Sequence, residues 1–145
     1  MFVENLKETL NLGEKLSQKL NPKSIVLLKG PIGSGKTSFV QGIAKGLSIS
    51  EDITSPTFAL SHHYYSGKIP LFHLDLYRLE NISSVKEVFF NEEEEAIQNK
   101  AIIVVEWPEL IEPLIKNFWK IEISYAIDYG RHYEIRDPKN LFTFL

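Results

Sequence analysis

The chain has 145 residues, 43% of them hydrophobic and 24% charged, which is enough for one domain with a real core. It has no cysteine, so disulfides, thiolate metal sites and cysteine nucleophiles are excluded. Its formal net charge is −3 and its arginines are Arg78, Arg131 and Arg136, so no basic stripe exists for gripping nucleic acid unaided. There is no long apolar run and no leader-like start, so a cytoplasmic protein without membrane contact is expected.

Residues Glu4 to Leu20 read as an amphipathic helix, with Leu6, Leu10, Leu16 and Leu20 at near-helical spacing, stopped by Asn21-Pro22. Ile25 to Leu28 is a continuous apolar run and predicts a buried strand. Gly30-Pro31-Ile32-Gly33-Ser34-Gly35-Lys36-Thr37 follows and fits the phosphate-binding pattern G-x-x-x-x-G-K-[ST]. Ser38 to Lys45 then reads as a helix. Strand, glycine loop and helix form the setting in which the pattern is a site: successive N–H groups converge on an anion and the helix dipole adds to their field. Lys36 would reach the terminal phosphates, and the Thr37 hydroxyl would join a magnesium shell.

Further along, Thr54 to Thr57 reads as a loop and Phe58 to Tyr65 as a strand. A turn at Ser66-Gly67-Lys68 leads into a strand from Ile69 to about Tyr77. Asn91 before Glu92 to Glu95 reads as a helix start. Ala101 to Val105 is a second buried parallel strand. Trp119 to Ile127 and Arg131 to Ile135 form a late antiparallel pair around Asp128-Tyr129-Gly130. With no repeat and no linker, residues 1–145 are expected to form a single α/β domain of three layers, with a mixed sheet and helices on both faces.

A phosphate loop needs an acid at the end of a neighbouring strand to hold magnesium. Glu106, which ends the apolar run from Ala101, is the preferred carboxylate. Asp75, sharing a strand face with His73 and Tyr77, is the candidate for positioning the attacking water or a water of the metal shell. Trp107 either stacks near the nucleotide or caps the core. His62, His63 and His73 are read as surface or packing residues rather than zinc ligands, because no spaced carboxylate set accompanies them. Glu92 to Glu95 is read as a solvated helix face. Asn99-Lys100-Ala101-Ile102 starts like the guanine-reading N-K-x-D pattern but lacks its aspartate, which favours adenine.

The chain resembles the TsaE (formerly YjeE) family. The matching blocks are Gly30 to Phe39, Ser55-Pro56-Thr57-Phe58, His73 to Leu79 and Val105-Glu106-Trp107-Pro108-Glu109, in that order. The resemblance implies a phosphate-loop NTPase variant with a mixed, mostly parallel sheet. It implies ATP and ADP as ligands, weak ATP hydrolysis, and support of the TsaB and TsaD partner proteins as they transfer a threonylcarbamoyl group to adenosine 37 of tRNA. The RNA would be met only through that complex. On matching positions, Gly33, Ser34, Gly35, Lys36, Thr37 and Ser38 would hold the phosphates. Thr37 and Glu106 would bind Mg2+, and Lys36, Asp75 and Glu106 would serve catalysis. Ser55 to Phe58 would form a sensing loop with Thr57 as its polar contact. Thr9 would lie near adenine or ribose, and Arg131 near the nucleotide. The chain departs from the family pattern at Pro31 and Ile32, and at Val88-Phe89-Phe90, where a glycine turn is usual. Two other readings compete: a nucleotide sensor that scarcely turns over, and a small-molecule kinase, which so few arginines make weaker.

Overall fold

A computed structural model describes residues 1–145. One seven-stranded sheet runs through the molecule, in the order β1-β7-β6-β2-β5-β4-β3. Its centre is β2 (Ile25–Lys29), paired in parallel with β5 (Ile102–Glu106) on one side and β6 (Trp119–Tyr125) on the other. Beyond β5 lies β4 (Leu71–Asp75), also parallel. The edges are antiparallel: β3 (Ser61–Tyr64) on β4, and β7 (Arg131–Arg136) followed by β1 (Phe2–Val3) beyond β6. The expected mixed, mostly parallel sheet is present. The two apolar runs are its central strands, buried on both faces as such runs must be.

Helix α1 (Leu6–Ser17) and helix α2 (Lys36–Gly46) cover one face, and α3 (Ile82–Asn99) covers the other. Leu12, Leu16, Phe39, Val40 and Ile43 pack with Val26, Leu28 and Ile121 in the first layer. Val85, Phe89 and Ala96 pack with Leu27, Phe72, Leu74, Ile103 and Val105 in the second. Three layers result, as the order of elements predicts.

Several boundaries differ from the sequence reading. Helix α1 is capped by the Asn5 side chain, which accepts from the Glu8 N–H, and it ends at Ser17 rather than Leu20. The last residues tighten instead: the Lys19 and Leu20 N–H groups donate to Leu16 and Ser17, which still buries Leu20. The clearest miss is α3. It starts at Ile82, where the Asn81 side chain accepts from the Ser84 N–H, and Asn91 lies well inside it. The acidic run read as a first turn lies in the middle of the helix, and Val88-Phe89-Phe90 is helical, with Phe89 wholly buried. Phe58 falls outside β3 and is exposed. Strand β1, two residues long, is too short to show a period.

Candidate phosphate cleft at the carboxyl ends of the central strands

The carboxyl ends of β2, β5 and β4 point the same way, and the loop between β2 and α2 lies over them. Gly33 and Gly35 take φ of 78° and 98°, a region that side chains resist, and Gly35 caps α2 with its N–H groups open. Lys36 is the first residue of α2, only 6% exposed, with its Nζ donating to the carbonyls of Gly30 at 2.7 Å and Pro31 at 2.9 Å. The ammonium also sits 4.4 Å from the centre of the Trp107 indole ring. Burial pushes the Lys36 pKa down, against the opposing pull of Glu106, Asp75 and Glu109. The buried ammonium is suited to receive a polyanion, whereas the carboxylates beside it would repel one unless a cation lay between them.

Asp75 and Glu106 end adjacent parallel strands and stand directly opposite one another. Both are nearly buried. Asp75 Oδ1 accepts from the Tyr77 N–H at 2.9 Å, and its Oδ2 accepts from the Ser55 hydroxyl at 3.2 Å. Ser55 in turn lies 3.1 Å from the Thr57 hydroxyl. The loop singled out in the sequence is therefore tied to one of the carboxylates. Trp107 carries φ of 57°, a left-handed conformation that bulky side chains rarely take, and packs against Tyr77 at 4.8 Å between ring centres. That strained turn places the indole along the wall of the cleft, beside the Lys36 ammonium.

Thr37, Asp75, Glu106 and Thr57 line one cleft with Lys36. These oxygen donors fit a hard cation such as Mg2+. A second pocket, of about 280 Å3, opens on the other side of the loop between α1, β1 and the β6–β7 hairpin, and brings Thr9 and Arg131 together with Gly33, Ser34, Gly35 and Ser38. Gly33, Gly35 and Ser38 line both pockets. Two residues look different at close range. The Thr9 hydroxyl donates to the Asn5 carbonyl at 3.3 Å. Arg131 spends its guanidinium on backbone carbonyls of Gly33, Ser34 and Gly130. A larger concavity of about 760 Å3, lined by Pro31, Trp107, His132 and Phe144 among others, contains none of Lys36, Thr37, Asp75 or Glu106. Chemistry, not size, therefore locates the site.

The sequence reading missed His73 as part of the site. It is fully buried, and its Nε2 lies 2.5 Å from Glu106 Oε2. Its Nδ1 has no partner, which assigns the proton to Nε2 as donor to the carboxylate. The shared strand face of His73 and Asp75 was the visible signal. The register of β4 on β5, which brings His73 to Glu106, was not. A second departure lies away from the cleft. His63 stacks on Phe72 with ring centres 3.7 Å apart and meets Glu92 at 2.6 Å, while Glu92 also accepts from Ser61 at 2.9 Å. Glu92 and Glu95 thus supply the carboxylates that the sequence reading found lacking beside His63, and Glu92 is not a merely solvated residue.

Loop, helix and sheet together define a phosphate-loop NTPase fold. The crystal structure of Bacillus subtilis YdiB has the same fold: TM-score 0.74 and 28% identity, covering 92% of this chain and 80% of that one. The family described as threonylcarbamoyl adenosine biosynthesis protein TsaE matches residues 3–133, and the chain belongs to the TsaE family. A Nostoc relative named tRNA threonylcarbamoyladenosine biosynthesis protein TsaE is 41% identical over 93% of this chain and 83% of its own length. A Synechocystis protein of the same name is 43% identical over 78% of this chain and 72% of its own. No helix is long and apolar enough to cross a membrane.

Proposed function

We propose that this protein binds ATP and ADP in the cleft together with Mg2+ and hydrolyses ATP slowly on its own. That cycle would support a TsaB–TsaD pair in the cytoplasm as it threonylcarbamoylates adenosine 37 of tRNA, with the RNA held by the complex rather than by this chain. The observation that carries the reading is the convergence of Lys36, Thr37, Asp75 and Glu106 on one cleft beside the glycine loop.

Open N–H groups of the loop and of the first turn of α2 would bind the β- and γ-phosphates, with Lys36 turning its ammonium from the Gly30 and Pro31 carbonyls to phosphate oxygen. Thr37 and Glu106 would hold magnesium, which supplies charge neutralisation on the phosphate oxygens. Asp75, oriented by Ser55 and the Tyr77 N–H, would align a water for attack on the γ-phosphorus. The bond to the β–γ bridging oxygen would break as the new P–O bond forms, the water's proton would pass to an oxygen of the departing phosphate, and the charge developing on the phosphate oxygens would be met by Lys36 and the backbone donors. Thr9, Ser38 and Arg131 border the space left for the nucleoside, and Thr57 the γ-phosphate side.

The test is ADP and ATP binding by calorimetry and phosphate release, with and without TsaB–TsaD. Lys36→Ala should lose nucleotide binding. Glu106→Gln should lose the magnesium dependence. Asp75→Asn should keep binding and lose hydrolysis. Fast turnover by the isolated wild-type chain contradicts the reading. The sensor alternative draws on the Ser55–Asp75 bond, through which a bound γ-phosphate could move the loop. Survival of partner-dependent tRNA modification in an Asp75 variant devoid of hydrolysis would favour it.

A further inference from the structure

The β6–β7 hairpin reaches the phosphate loop from the outside. The Tyr125 hydroxyl donates to the Ile32 carbonyl at 2.6 Å. Arg131 donates from Nη2 to Gly33 and from Nε to Ser34, each at 3.3 Å. Tyr125 and Arg131 face each other across the hairpin, and the guanidinium carbon lies 4.5 Å from the tyrosine ring centre, so each fixes the other. Three successive loop carbonyls are thereby engaged by residues more than 90 positions away in sequence.

A peptide unit is planar, with C=O and N–H on opposite sides. Holding the carbonyls of Ile32, Gly33 and Ser34 toward the hairpin turns the N–H groups of Gly33, Ser34 and Gly35 the other way. The Ser34 N–H already donates inward, across the loop to Pro31 at 3.1 Å. Two glycines make the loop soft, since their backbones have the most freedom to lose on ordering. A soft loop must be ordered when phosphate arrives, and that cost subtracts from affinity.

We propose that Tyr125 and Arg131 are positioning residues that set the phosphate loop in its binding conformation before nucleotide arrives. They would act on phosphate affinity without touching phosphate. The proposal rests on the reading of the loop as the phosphate site. It also gives Arg131 a different role from the nucleotide contact that the family resemblance implies.

The experiment compares wild type, Tyr125→Phe and Arg131→Lys for ADP and for adenosine, with amide NMR of the nucleotide-free protein. Tyr125→Phe removes one exposed hydroxyl, and a single net hydrogen bond corresponds to about a 2- to 10-fold loss. ADP binding should weaken by that factor with adenosine binding and melting temperature unchanged. The Gly33 and Gly35 amides should show faster exchange before any nucleotide is added. Arg131→Lys, which keeps the charge but loses the fork, should weaken ADP at least as much. Unchanged ADP affinity in both variants overturns the proposal. So does an equal loss for adenosine, which would mean a nucleoside contact. If wild type itself binds no ADP, the reading of the site fails rather than the role of the hairpin.

Discussion

Helices α1 and α2 cross at two glycines, and substituting one sets two known effects against each other. A Cβ at Gly42 would lie 2.4 Å from the Leu10 carbonyl oxygen and 3.0 Å from Leu10 Cα; one at Gly13 would lie 2.4 Å from the Phe39 carbonyl oxygen. These are backbone atoms, so no side chain can swing away. Relief needs the helices to part by about 1 Å, enough to forfeit a quarter to a half of each affected van der Waals contact. Leu12 and Leu16 would lose contact with Phe39 and Ile43, in a layer with little free space. Overpacking of this kind costs about 1–3 kcal/mol. Opposing it, alanine in a helix is about 1 kcal/mol better than glycine. Because the clashing atoms are backbone, the steric cost falls in the upper part of that range, about 2–3 kcal/mol, and Gly42→Ala is expected to be destabilised by about 1–2 kcal/mol, or roughly 3–6 °C for a domain of this size. Calorimetric melting measures it. ADP affinity should fall too, because α1 carries Thr9 to the pocket beside the loop. An unchanged or higher melting temperature would refute the reasoning, since propensity alone would then decide the sign.

Two further outcomes follow from buried groups. His73→Leu leaves the Glu106 carboxylate buried without its donor and should cost about 1–3 kcal/mol in urea unfolding, whereas His73→Gln, which retains an N–H, should recover much of that; equal stability of wild type and the leucine variant would deny the hydrogen bond its role. Burial pushes the Tyr133 hydroxyl from an ordinary 10.0 up to about 12, because the fold penalises the phenolate; stability therefore holds below pH 10 and falls by about 2–3 kcal/mol as pH rises to 12. Tyr133→Phe should flatten the stability profile in that window, as urea unfolding across it would show, and an unaltered alkaline decline would assign the loss to other groups.

The strand–loop–helix around Gly30 to Thr37 was legible because each of its parts is local: an apolar run, glycines at fixed spacing, a lysine on the first turn. Glu106 was legible for the same reason, as an acid at the end of a run buried on both faces. What escaped depends on register or on distance along the chain. His73 could be placed on the face of Asp75 from its period of two, yet only the pairing of β4 with β5 brings it to Glu106. The Glu92 and Glu95 side chains reach His63 because α3 crosses toward the edge strand, which no spacing in the sequence announces. The start of α3 was misread for a chemical reason: Asn followed by glutamates is a good first turn and an equally good exposed helix surface, and Asn81, the true cap, precedes residues whose branched and aromatic side chains look unhelical.

The guanidinium groups bear on the rate proposed for the isolated chain. Rapid phosphoryl transfer usually needs a cation beyond the loop lysine, and its lack costs roughly a thousandfold or more. Arg131 is bound to carbonyls behind the phosphate loop. Arg78 lies 4.0 Å from the ring centre of Phe58, at the end of the Ser55 to Phe58 loop. Arg136 is held by Glu134 and packs on Phe142. Each has a partner, and Lys36 is the cation that lines the cleft with Asp75 and Glu106. If the hairpin readies the loop for phosphate as proposed, it also withholds its arginine from the γ-phosphoryl group. Slow turnover is what such a division of labour would produce. It leaves acceleration to a change in which Arg78 moves with its loop or a partner adds a cation.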